Sequence, residues 1–176
     1  PGGRMGEACG SSSICVENVD GGVVEGVVFR NISAFGSRTP IFIRAGMRRG
    51  RPCGTPPSDK YVFRNILLEN VFGEAMSGVS SSITGVRGCR VSDVRMKNVS
   101  IVCRGCGATA LERTRPVPEV PGKYPDAHMF GCMLPSYGLY VRHVDALSIS
   151  EIAFVLRCGD ADERDAIVMD DVIKVD

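Results

Sequence analysis

Four stretches of the chain repeat one arrangement of apolar and polar positions: residues 24–32, 63–71, 91–99 and 144–152. Each reads apolar, two variable, apolar, polar, apolar, polar, then asparagine and a closing apolar residue. In the fourth, Glu151 stands where the others carry Asn31, Asn70 and Asn98. The pairs Val27/Phe29, Ile66/Leu68, Val94/Met96 and Leu147/Ile149 alternate with period two, which places both members on one face of a strand; a helix would need a period of about 3.6. Asparagine enters the left-handed conformation more readily than most residues. The repeated Asn therefore predicts a sharp bend, after which Ile32, Val71, Val99 and Ile152 turn back inside.

A second set of short apolar runs is interleaved with the first, at 13–16, 40–43, 81–84, 138–141 and 166–169. Two alternating strand types separated by loops of unequal length describe successive coils of a solenoid. The expected fold is all-β: a right-handed parallel β-helix, a single domain over residues 1–176, with Val27, Ile66, Val94 and Leu147 stacked as one buried column. Two insertions interrupt the coils. Residues 46–60 carry Arg48, Arg49 and Arg51 with three prolines, and residues 104–136 carry five more prolines. Long loops inside a compact fold are as a rule either functional or disordered.

Composition supports this picture and removes some functions. With 44% hydrophobic residues in 176, the chain can fill one core, while the absence of Trp and the 6% aromatic content favour many short strands. The formal net charge of +1 lacks the basic excess that nucleic acid demands. No stretch approaches the roughly 20 apolar residues that cross a bilayer. Neither nucleic acid nor a membrane is expected as a partner, and the oligomeric state is left open. Of the eight cysteines, only Cys103 and Cys106 have the spacing of a metal-ligand pair, and no second pair accompanies them. No metal and no cofactor are expected. Cys15 and Cys103, set in strand-like runs, read as buried free thiols that act as small hydrophobes. The opening Pro1-Gly2-Gly3-Arg4 has no Met and no apolar leader core, so residues preceding Pro1 are expected in the natural protein.

The run Val16-Glu17-Asn18-Val19-Asp20-Gly21-Gly22, the run Pro40-Ile41-Phe42-Ile43-Arg44, the stretch from Tyr124-Pro125 through Met129-Phe130-Gly131 to Tyr137-Gly138-Leu139-Tyr140-Val141-Arg142-His143, and the ending Ala166-Ile167-Val168-Met169-Asp170-Asp171-Val172 carry a resemblance. They resemble the C-terminal half of bacterial polygalacturonase-like proteins of glycoside hydrolase family 28, in the pectin lyase-like superfamily. The resemblance implies a secreted or periplasmic inverting glycosidase that hydrolyses α-galacturonosyl or related links, with acidic polysaccharide (pectin or polygalacturonate) as its partner. Such hydrolysis needs one carboxylic acid to protonate the leaving oxygen and one carboxylate to activate water. The family carries these groups in Asn-Thr-Asp and Asp-Asp motifs, followed by Gly-His-Gly and Arg-Ile-Lys. The chain has no Asn-Thr-Asp, Gly-His-Gly or Arg-Ile-Lys. Its Asp170-Asp171 pair closes the last strand, where neighbouring residues point to opposite faces, and reads as a solvated pair. No catalytic residue is assigned within the chain, and the matching aspartates are expected before Pro1.

Substrate-binding residues are expected near the first two coils. Glu17 and Asp20 follow the first strand and Arg44 ends the equivalent strand of the next, so stacking brings them to one side. A guanidinium suits a uronate carboxylate through two parallel hydrogen bonds; the alternative is an inter-coil Glu17–Arg44 pair. Arg48 and Arg49, with Arg51, extend the subsite or are simply solvated. Tyr137 at a strand edge is the expected sugar-stacking ring, Tyr140 is expected to pack, and His143 and His128 read as structural. The functional expectation is the C-terminal part of a pectin-degrading glycosidase, inactive as this fragment. The alternatives are a non-catalytic β-helix module that binds acidic polysaccharide, and a structural solenoid fragment.

Overall fold

The computed structural model describes residues 10–48 and 61–175. Its strands are β1 (Gly10–Asn18), β2 (Gly22–Ala34), β3 (Ser37–Ala45), β4 (Tyr61–Glu74), β5 (Ser81–Thr84), β6 (Val91–Cys103), β7 (Ser136–Leu156) and β8 (Asp165–Lys174). Every pairing between these strands is parallel, in the order β1-β3-β5-β7-β6-β4-β2 with β8 on β7. β7 joins two stacks, since its first part pairs with β5 and its second with β6. Successive coils are therefore β1–β2, β3–β4, β5–β6, β7 and β8, the parallel β-helix that the repeat predicts. The helix among the described residues is a 3-10 turn over Ala110–Thr114, and no helix there is long and apolar enough to cross a membrane.

The predicted column forms in register. Val27 lies opposite Ile66, Ile66 opposite Val94, and Val94 opposite Leu147. Ile66, Val94 and Leu147 are fully buried, and Val27, on the outermost described coil, is partly buried against the same core. Full burial of each large aliphatic side chain contributes about 1.5–3 kcal/mol, so the column is a principal source of cohesion between coils.

β2, β4, β6 and β7 each turn a corner within their length, left-handed at Asn31 (φ 58°), Asn70 (54°), Asn98 (52°) and Glu151 (54°). These asparagines also bond to one another across coils. Asn70 Nδ2 donates to Asn31 Oδ1 at 2.9 Å, and Asn98 Nδ2 donates to Asn70 Oδ1 at 2.9 Å. Coils approach closely at Gly73, where a Cβ would lie 2.0 Å from the carbonyl oxygen of Ala34. Only glycine fits that rung.

One thiol reading changes, and the insertions can be placed in part. Cys103 is buried and free, but Cys15 is free on the outward, exposed side of β1, and Cys89 is disulfide-bonded. Cys15 faces outward because its neighbours Ile14 and Val16 take the two inward positions of that strand. Arg49 and Arg51 lie outside the described residues. The long insertion packs as a cover: Ala127, Met129, Phe130 and Leu134 form a second apolar cluster with Phe42 and Tyr140.

Candidate functional site

The outward side chains of the first strand stack form two columns along the solenoid. Cys15, Phe42, Ser82, Tyr140 and Val168 occupy one, and Glu17, Arg44, Thr84, Arg142 and Asp170 the other. Exposure changes abruptly from one coil to the next. Cys15 and Glu17 are open to solvent, whereas Phe42, Arg44, Ser82, Thr84 and Tyr140 are each at most 2% exposed. Residues of the 104–136 insertion lie over part of this covered face.

At the open coil, Glu17, Asp20 and Gly21 from the turn between β1 and β2, Arg48 after β3, and Tyr124 and Pro125 from the insertion line a cleft of about 330 Å³. The turn is fixed by Asn18, whose Nδ2 donates to the carbonyls of Gly22 (3.2 Å) and Val62 (3.1 Å), and by Gly21 and Gly22, both at φ 94°. Its second wall is held by backbone bonds from Arg48 N to Val19 O (2.7 Å) and from Met47 N to Pro121 O (2.8 Å). Within the cleft Arg48 grips Asp20 with Nε on Oδ1 (3.0 Å) and Nη2 on Oδ2. Its guanidinium stands 5.7 Å from the centroid of the Tyr124 ring. The bonds to Asp20 hold the Arg48 guanidinium above its ordinary pKa. Carboxylates that accept from hydroxyls, a guanidinium and an exposed aromatic face are the groups that recognise a sugar. Two carboxylates against one guanidinium favour hydroxyl recognition over carboxylate recognition by these described residues.

The structure thus gathers Glu17, Asp20 and Arg48, three of the expected binding residues, into one cleft. Arg44 is not among them. Although Glu17 lies opposite Arg44 in register, the guanidinium turns under the insertion. Its Nη1 donates to Thr84 Oγ1 (3.2 Å) and Gly85 O (3.1 Å), and its Nη2 to Glu119 O (2.9 Å) and Val120 O (3.3 Å). Phe130 lies 5.6 Å from it, and burial lowers its pKa to about 10. It neither lines the cleft nor pairs with Glu17, because Thr84 and three backbone carbonyls supply its partners. Tyr137 packs against the main core and donates to Phe154 O at 3.3 Å, so it is not a ring of this cleft. Arg49 is outside the described residues. Tyr124 is the ring that the sequence reading passed over; its sole signal was its place in the Tyr124-Pro125 run.

A charged network ties the insertion to the coils nearby. Glu119 accepts from His143 Nε2 (2.8 Å) and pairs with Arg142 (2.6 Å), and His143 Nδ1 meets Asp171 at 2.6 Å. Burial works to raise the Glu119 pKa, but His143 and Arg142 win and lower it. Arg90 first, then His143, hold the Asp171 carboxyl down at about 2. Asp170 instead accepts from Tyr140 Oη at 3.2 Å and pairs with Arg142. The two aspartates bond to different partners, and both stay exposed at the strand end, as expected of a solvated pair, while each also makes an ion pair. Among the described residues no group of three or more His, Cys, Asp or Glu is arranged to hold a metal ion.

Neither the curated proteins nor the solved structures yield a match to the chain. The family model of the glycosyl hydrolases family 28 matches residues 14–118, more than half of the chain, from within β1 through β6. The coils, their register and this match together place the chain in the glycosyl hydrolases family 28.

Proposed function

We propose that this chain is the part of a polygalacturonase-like glycoside hydrolase that supplies core coils and one end of the groove for a pectin-type polysaccharide. Glu17, Asp20, Arg48 and Tyr124 bind a sugar unit there. The observation that carries the reading is their convergence on one cleft at the only outward coil of the first stack that the insertion leaves bare among β1, β3 and β5. Glu17 and Asp20 accept from sugar hydroxyls, Tyr124 offers its face to the pyranose ring, and Arg48, held against Asp20, donates from its remaining N–H groups to a further sugar oxygen. The acid and base of hydrolysis are not carried by Asp170 and Asp171, whose oxygens are committed to different partners. We assign them to sequence beyond this chain, which leaves the chain a binder that does not cleave. Action on a polymeric pectic substrate would place the whole protein outside the cytoplasm.

Affinity electrophoresis in gels containing polygalacturonate, run beside a reducing-end assay, tests this reading. The expected result is retarded migration that Arg48→Ala and Tyr124→Ala abolish, with no reducing ends released. Unretarded migration would leave the chain as a structural solenoid segment. Release of reducing ends by the chain alone would show that it carries its own acid and base.

A further inference from the structure

We infer that the 104–136 insertion is a wall across the binding face, so that the site takes the end of a polysaccharide chain and not its interior; the inference rests on the sugar-binding reading above. The longest surface a solenoid offers a polymer runs along its stacking axis. Here that surface follows the two outward columns that begin at Cys15 and Glu17. A polymer lying on them meets open surface at β1 and then an obstruction one coil later, because the equivalent side chains of β3, Phe42 and Arg44, are each 1% exposed.

The obstruction is anchored along its length. Phe130 and its apolar neighbours seat on Phe42 and Tyr140, and Arg44 holds the carbonyls of Glu119 and Val120 from below. Glu119 is further fixed by Arg142 and His143. Tyr124 and Pro125 present the near side of the same segment to the cleft. A buried cation with four acceptors and a filled apolar seat make this a built wall. A chain that enters along the columns must stop at Tyr124, so the terminal sugar is the unit that Glu17, Asp20 and Arg48 meet.

Sedimentation of the 176-residue chain with galacturonate oligomers and polymers of increasing length tests the wall without any variant. The wall predicts that the number of protein molecules bound per saccharide molecule stays at one from short oligomers to long polymer. An open groove predicts a number that rises with length; that result overturns the wall while leaving the sugar-binding reading intact. Absence of binding at every length sinks both. A second measurement uses Glu119→Gln with Phe130→Ala, which loosens the anchors of the segment that carries Tyr124 without substituting any residue of the cleft. Stoichiometry on long polymer should then rise above one, and an unchanged value on a variant whose insertion has become protease-sensitive would also count against the wall.

Discussion

Arg44 Nη2 donates to the carbonyl oxygen of Glu119 at 2.9 Å, across 75 positions of sequence, and so joins the second coil of the solenoid to the middle of its longest insertion. A residue whose charge suggests a ligand contact is instead a tether for the chain's own backbone. Arg44→Lys keeps the charge but cannot reach both Thr84 and the loop carbonyls from one ammonium. The expected cost is about 2 kcal/mol, the scale of a hydrogen bond to a charged group. A urea midpoint lowered accordingly, with faster proteolysis confined to residues 104–136, checks this; unchanged proteolysis would mean that the insertion is held by its apolar seat alone.

Asn70 both donates to Asn31 and accepts from Asn98 while holding a φ of 54°. Asn70→Ala loses two hydrogen bonds and puts a Cβ residue without a local side-chain bond into the left-handed region, for an expected loss of about 2–4 kcal/mol. The converse change is Glu151→Asn, which places a donor where Asn98 now has a carboxylate neighbour in the same column. It should stabilise by about 0.5–1 kcal/mol. Chemical denaturation of the two variants gives both numbers.

Acid should unfold the protein through two identified carboxylates. Asp171 is held at about 2 by Arg90 and His143. Burial works against Asp162, but its bonds from Arg164 prevail and hold it also at about 2. Both folded values lie below the unfolded one, about 3.9. The stability they contribute is therefore complete above about pH 4 and is lost as pH falls toward 2. Urea midpoints measured from pH 6 to pH 2 should drop most steeply in that window, and Asp171→Asn should flatten the drop.

Arg164 donates to Asp162, to the carbonyls of Gly78, Leu134 and Ser136, and to the Cys106 sulfur, with its side chain and that of Asp162 sealed from solvent. Arg164→Met leaves a buried carboxylate unpaired and should cost about 3–5 kcal/mol. The double variant with Asp162→Leu should recover part of that loss in the same denaturation experiment, since removing both charges removes the uncompensated one.

Cys15 lies on the exposed strip, yet partial burial of its sulfur and then the Glu17 carboxylate, 3.2 Å away, push its thiol up to about 12. Alkylation near pH 8 should be much slower than for a free thiol, because the thiolate is the reactive form. Glu17→Gln should speed it, and bound saccharide should slow it further. Alkylation at the rate of a free thiol would show that Glu17 does not sit against the sulfur.

Much of the fold is legible in the sequence because strand burial has a period and corners have a preferred residue. Val27, Ile66, Val94 and Leu147 announce a column, and Asn31, Asn70 and Asn98 announce the bends, with Glu151 adopting the same conformation by force of the repeat. The ladder that joins those asparagines is less legible, since it depends on register between distant coils. Gly73 is silent for a similar reason: its need for a missing Cβ arises from Ala34. The cleft is half legible. Glu17 and Asp20 follow from the position of a strand end and Arg48 from the basic run that opens the 46–60 insertion, but Tyr124 arrives from an aperiodic, proline-rich insertion whose path no local pattern encodes. Arg44 misleads because its partners are backbone carbonyls, which every sequence possesses. Tyr137 misleads because one residue of strand parity decides whether a ring meets the core or the solvent.

The central claim is that a sugar unit binds where Glu17, Asp20, Arg48 and Tyr124 converge, and amide chemical shifts recorded while an oligogalacturonate is titrated into the chain test it most directly. The account predicts saturable shifts at Gly21, Gly22, Arg48 and Tyr124, with Asn70 and Asn98 in the ladder unmoved. Saturation accompanied by shifts elsewhere and none at these four residues would contradict it.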